Sequence, residues 1–316
     1  MNRKKILSQL LLEKTHWNSL NAGGNALTIP IRIGSVRLDL ITSSLFVKNT
    51  LTRYFSDFTD TSPTTAHLMI EPWTHPDYPA IWEDPDPEFQ IQGSSVIHRD
   101  FAAKQFQLQE TGKIPTAWGW INPEEPYDAI HNLLRWFLPK LLLAEDSFLI
   151  HGAGVVSQGR GYAFFGQSGA GKSTCTQMIA ESDPQVTLVG DDAIIVQYEA
   201  QTNQAWLYSA PLGNGYSRLA PPLIRAPLCG FYSLHQDQEH FIENLSPTAG
   251  IQTLLASSMA VQFSENAFER IELSRNLFFS RCGIQRLHFQ KNAQFWTHIK
   301  QGARHDEKSS GESQEA

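Results

Sequence analysis

Cysteine is scarce in this chain: 3 in 316 residues, at 175, 229 and 282. No two form a Cys-x-x-Cys pair, and an odd number cannot be fully paired within one chain. A disulfide framework and a thiolate zinc site are therefore disfavoured, and a reducing, cytoplasmic setting is expected. Charge is also sparse, at 18% of residues, with 25 Lys and Arg against 32 Asp and Glu and a formal net charge of −7. The chain lacks the surplus of cations that broad nucleic-acid binding needs. Long apolar runs are missing as well. The most apolar region, Leu133 to Val156, is broken by Lys140, Glu145 and Asp146, so no bilayer-spanning stretch of about 20 residues is expected. After Met1-Asn2-Arg3-Lys4-Lys5 comes a short apolar stretch interrupted by Ser8 and Gln9 and ended by Glu13 and Lys14. No small-residue cleavage site follows, which argues against a signal peptide. What is present is core material: 41% hydrophobic residues, with 8 Trp and 18 Phe. A disordered chain has few aromatics, so this is a globular protein, and its length suggests two or three domains.

Periodicity organises the chain. Residues 1–20 have helical spacing, and Leu27 to Leu40 alternates as a half-buried hairpin turning at Gly34-Ser35. A short helix is expected over Leu51–Phe58 and a strand over His67–Ile70. Five prolines between Glu71 and Pro87 mark a loop or lid, and residues 88–120 have the pattern of short strands. Residues 1–125 form one expected α+β domain, a candidate for acceptor recognition. Tyr127 to Leu143 is an expected helix that Pro139 should kink or split. Two strands, Phe148–His151 and Ala153–Val156, precede a polar turn and a further strand, Tyr162–Phe165. Residues 126–300 form the second expected domain, and the polar tail 301–316 is expected to be disordered.

The most informative segment is Gly166-Gln167-Ser168-Gly169-Ala170-Gly171-Lys172-Ser173, the G-x-x-x-x-G-K-S pattern of a phosphate-binding loop. Glycines let the backbone bend so that several N–H groups face one anion. The helix expected over Thr174–Ala180 places its positive end at the same point. Lys172 adds a full charge for the outer phosphates, and the Ser173 hydroxyl is placed to ligate Mg²⁺. The next strand, Val186 to Asp192, has the apolar run of a buried parallel strand and ends in two acids, Asp191 and Asp192. Adjacent residues on a strand point in different directions, so one acid can serve the metal while the other faces an incoming hydroxyl.

His151, then the loop, then Leu188-Val189-Gly190-Asp191-Asp192 together resemble the catalytic domain of the HPr kinase/phosphorylase family. The likeness is greatest to its HPr-kinase-related branch, and it covers residues from about 126 to 299. The resemblance implies an α/β fold like that of phosphoenolpyruvate carboxykinase. It implies ATP with Mg²⁺ as donor and a Ser or Thr hydroxyl of a protein or peptide as acceptor. Residues 166 to 174, ending at Thr174, would cradle the nucleotide. Asp191 would take the acceptor's proton, Asp192 would support the metal or the base, and His151 would lie near the transferred phosphoryl group. Kinases of this reduced type occur beside peptide-maturation genes, lasso-peptide clusters among them, which makes a precursor peptide the implied acceptor. The family carries Glu-Ile-Arg-Gly after the double Asp. Here the nearest segment is Leu223-Ile224-Arg225-Ala226. Arg225 survives as a candidate phosphate contact, the departures argue against the phosphorylase reaction and HPr recognition, and the family's hexameric assembly is not carried over, which leaves a homo-oligomer open.

The same loop and acids would serve a small-molecule hydroxyl kinase, a nucleotide-responsive binding module or a plain ATP hydrolase. Arg218, beside Gly213–Ser217, is a further candidate in a loop over the nucleotide. Cys175 is expected to be a buried apolar residue, although the first turn of a helix can also make a thiol reactive. Trp118, Trp120, Phe278 and Phe279 are expected in the core. His67, His75 and His98 are too scattered for a metal site.

Overall fold

The computed structural model describes residues 26–73, 90–92, 95–98, 101–107, 114–212, 223–259 and 266–300. The expected helix in 1–20, most of the proline-rich segment, the loop around Gly213–Ser217 with Arg218, and the tail lie outside them. The chain is mixed α/β and divides into two units, Met1–Leu141 with Gly215–Ala220, and Leu142–Asn214 with Pro221–Ala316.

The first unit is built on a seven-stranded sheet. Strands β1 (Leu27–Ile33) and β2 (Val36–Thr42) form the expected hairpin, with Ile33 opposite Val36 across the Gly34-Ser35 turn. Helix α1 begins earlier than expected and covers Leu45–Tyr54, because the Ser44 hydroxyl accepts from the Val47 N–H at 3.3 Å and caps it there. Val47, Leu51 and Tyr54 are its buried stripe, and a 3-10 turn, Ser56–Phe58, follows. Strand β3 (Ala66–Pro72) lies parallel to β2 and to β7 (Thr116–Ile121). The short strands β4 (Gln90–Gln92), β5 (Ser95–His98) and β6 (Phe101–Gln107) complete the sheet. Helix α2 (Pro126–Leu143) runs unbroken through Pro139. Proline removes one hydrogen bond, whereas Leu133, Leu134, Phe137, Leu138, Leu141 and Leu142 all stay buried along the helix. Trp118 and Trp120 are half-buried rather than core residues.

The second unit carries the phosphate-loop motif. Strand β8 (Ser147–Ser157) is one strand of eleven residues where two were expected. Its first half pairs with β11 (Ala193–Glu199), and its second half pairs with β9 (Arg160–Phe165) and β10 (Thr187–Gly190). The partners change at Gly152, where a Cβ would meet the Phe164 carbonyl oxygen at 3.0 Å. Strands β12 (Gln204–Ser209) and β13 (Arg225–Gln236) then lead back to β9, so β8, β11, β12, β13 and β9 form a closed circuit. Beyond β13 lie β15 (Gln285–Phe289), parallel to it, and β14 (Phe241–Asn244). One core cluster includes Phe165, Leu207, Phe231 and, from helices α4 (Pro247–Ser257) and α5 (Ala267–Phe278), Leu254 and Leu277. A second lies against helix α3 (Lys172–Ser182) and the helical stretch 294–300, and includes Cys175, Ile179, Phe289 and Trp296. Phe278 packs on the first cluster, but Phe279 is 56% exposed and is not a core residue.

One expectation about direction is overturned. Strand β10 is not a buried parallel strand. It runs antiparallel to β8, with Thr187 opposite Val156, and Leu188 on it is 46% exposed. The parallel neighbours of the loop are β9, β13 and β15.

Candidate functional site

The chain leaves β9 at Phe165, turns through residues 166 to 171, and enters α3 at Lys172. Gly169 has φ +80° and Gly171, which caps α3, has φ +99°; both lie in the left-handed region that glycine tolerates best. A Cβ on Gly171 would also meet Phe289 Cζ at 3.0 Å, so the ring of β15 sits directly under the turn. Gln167, Ser168 and Gly169 are exposed, whereas Lys172 is buried. The Lys172 ammonium donates to the carbonyls of Gly166 at 3.0 Å and Gln167 at 3.1 Å. Burial pushes its pKa below the ordinary value of 10.5, with the charge of Asp192 acting in the opposite sense.

The double acid arrives from the end of β10. The Ser173 hydroxyl donates to the Asp191 carbonyl at 3.2 Å, tying the first turn of α3 to that strand end. Asp191 itself is exposed. Asp192 is anchored to β8: its carbonyl accepts from the Gly152 N–H at 3.2 Å and lies 3.0 Å from His151 Nδ1, while its carboxylate Oδ1 lies 3.2 Å from the same nitrogen. With two acceptors in front of it, Nδ1 carries the proton, and a neutral ring then leaves Nε2 as the basic atom. Lys172, Ser173, Asp191, Asp192 and His151, named from three separate stretches of sequence, are thus brought together. Thr174 follows on the exposed side of α3.

Arg225 is placed elsewhere. It opens β13 opposite Tyr208, and its guanidinium stacks 3.9 Å from the Trp206 ring centroid and 5.6 Å from that of Tyr208. Cys175 is fully buried and its thiol is pushed well above the ordinary range by burial, which removes the reactive-thiol alternative.

The last residue of β13 belongs to the site without having been anticipated. Gln236 Nε2 donates to the Gly169 carbonyl at 2.9 Å. It lies at the end of an apolar strand, Leu228 to Leu234, and that apolar run was the only signal in the sequence. The chain matches no protein-family model and no curated protein.

Proposed function

We propose that the second unit is an ATP- and Mg²⁺-dependent kinase that transfers phosphate to a Ser or Thr hydroxyl of a protein or precursor peptide. The observation that carries the reading is the convergence on Lys172. A buried ammonium lies over a glycine turn at the start of a helix, with two aspartates between β10 and β11 and a histidine in the middle of β8 beside them. The positive φ of Gly169 and Gly171, the close approach of Phe289 and the buried cation fit a polyphosphate. The reading brings with it a phosphoenolpyruvate-carboxykinase-like plan, which the strand–turn–helix order β9–loop–α3 supports.

In this reading the loop amides and Lys172 bind the outer phosphates, and Ser173 and Asp192 hold the metal. Bound Mg²⁺–ATP supplies the phosphoryl group and the dication that offsets its charge. Asp191, exposed at the mouth of the site, orients the acceptor hydroxyl and takes its proton. His151 acts as a positioning residue by fixing Asp192 through Nδ1. The free thiols of Cys175, Cys229 and Cys282 suit a cytoplasmic setting.

Labelled-phosphate transfer across a panel of peptide and hydroxy-amino-acid acceptors tests the reading. Lys172→Ala and Asp191→Ala should each cost ~10²–10³-fold in rate, about 3–4 kcal/mol. More than half the activity remaining in Asp191→Ala would overturn the base assignment. Transfer to a free hydroxy-amino acid alone would move the acceptor class to small molecules. Phosphate release without any acceptor would make the protein a hydrolase. Absence of magnesium-dependent ATP uptake in calorimetry would overturn the reading as a whole.

A further inference from the structure

Beside the loop, at the same end of the parallel strands, lies a group of side chains that the kinase reading does not use. Strands β13 and β15 pair in register, with His235 opposite His288 and ring centroids 4.8 Å apart. Asp237 follows two residues after His235, and its N–H donates to the Phe289 carbonyl at 3.0 Å, which keeps it beside β15. The donor atoms of His235, Asp237 and His288 all lie within 4.8 Å of one another.

His288 is the best fixed of the three. It is 12% exposed and stacks on Phe241 with centroids 4.0 Å apart and planes at 12°. Its Nδ1 faces Asp237 Oδ2 at 2.8 Å, and its Nε2 faces Glu243 Oε2 at 3.2 Å. Glu243 is in turn held by Arg286 at 3.1 Å. A neutral imidazole that donates from Nε2 to Glu243 presents a lone pair at Nδ1, aimed at another carboxylate oxygen. A neutral ring can donate to only one of these two carboxylates, so the other contact needs a second ring proton or, with the 2.8 Å Nδ1–Oδ2 contact opened, a cation. A carboxylate–histidine pair that fixes the tautomer is the usual outer support of a metal-binding imidazole. Zinc–nitrogen and zinc–oxygen bonds of about 2.0–2.1 Å in a tetrahedron put ligand atoms roughly 3.3 Å apart. Reaching that spacing requires the 2.8 Å His288–Asp237 contact to open and the exposed His235 to swing inward.

We propose that His235, Asp237 and His288 bind a zinc-class divalent cation, with Glu243 as its outer carboxylate. The inference does not depend on the kinase reading. Gln236, between two of the ligands, holds the Gly169 carbonyl, so an ion here would brace the phosphate turn from outside it.

The test is titration of the full, chelator-treated chain with Zn²⁺ alone, followed by the visible spectrum of the Co²⁺ form. One equivalent should bind, and cobalt should give the absorption of a nitrogen–oxygen site of low coordination number. His235→Ala and Asp237→Asn, both at accessible positions, should weaken uptake at least 100-fold while circular dichroism stays unchanged. Glu243→Gln should weaken it about 10–100-fold. Asp192→Asn should leave it unaltered, which separates this site from the loop. Lack of zinc uptake, equal uptake by wild type and the ligand variants, or loss of uptake in Asp192→Asn would each overturn the proposal.

Discussion

Lys172 carries a cost in the folded chain that function explains better than stability does. Its ammonium is buried, and neutral carbonyls accept its protons. Its folded pKa lies below the ordinary 10.5, so between those two values the unfolded chain binds more protons. The unfavourable contribution is therefore full at neutral pH and is relieved only as pH rises through the folded value. Lys172→Met should give an equal or higher melting temperature without nucleotide, and should lose the further rise that the proposed kinase reading expects Mg²⁺–ATP to produce in the wild type. Differential scanning fluorimetry with and without nucleotide reads both. A lower melting temperature in the unliganded variant would mean that the ammonium mainly supports the fold.

At the scale of elements, the loop depends on a backbone shape that side chains resist. Gly171→Ala adds a Cβ at φ +99° and 3.0 Å from Phe289 Cζ, and should cost about 1–2 kcal/mol in stability together with nucleotide affinity. Denaturant unfolding and calorimetric titration measure the two losses. The other end of α3 is fastened by Asp183, which accepts from Trp296 Nε1 at 3.1 Å and Lys300 Nζ at 3.0 Å. Those bonds, that of Trp296 foremost, hold its carboxyl below the ordinary 3.8. Its stabilisation is thus complete above that value and is lost as pH falls through it toward the lower folded value. Asp183→Asn should reduce stability at neutral pH and flatten its decline below about pH 4, as urea midpoints across pH would show. How far the sequence discloses these elements depends on where the information lies. The turn at 166–173, the acids at 191 and 192 and the β1–β2 hairpin were legible because spacing within one short stretch sets them. The direction of β10 was not, since a strand's own apolar run says nothing of which neighbour it meets. The unity of β8 was hidden for a related reason: its two halves serve different partners, and only the assembled sheet joins them. His288 was invisible as a companion of His235 because register between strands fifty residues apart is written in neither.

For the whole molecule, each unit has its own buried apolar set, and damage to one should stay there. Leu207, fully buried, lies against Gly154 and Gly161 and belongs to the core of the second unit. Leu207→Ala should cost about 2–5 kcal/mol. Hydrogen exchange should speed up across β8, β11, β12 and β13 while amides of β1, β2 and β3 keep their protection. The closed circuit through β8 and β13 has a consequence of a different kind. A sheet that bends round to meet itself leaves little backbone with which a stranger could pair. The strands that end the second sheet, β10 and β14, are only four residues long each. Crowded molecules of this unit therefore offer one another short, poor footholds, and runaway stacking into fibrils has little from which to start.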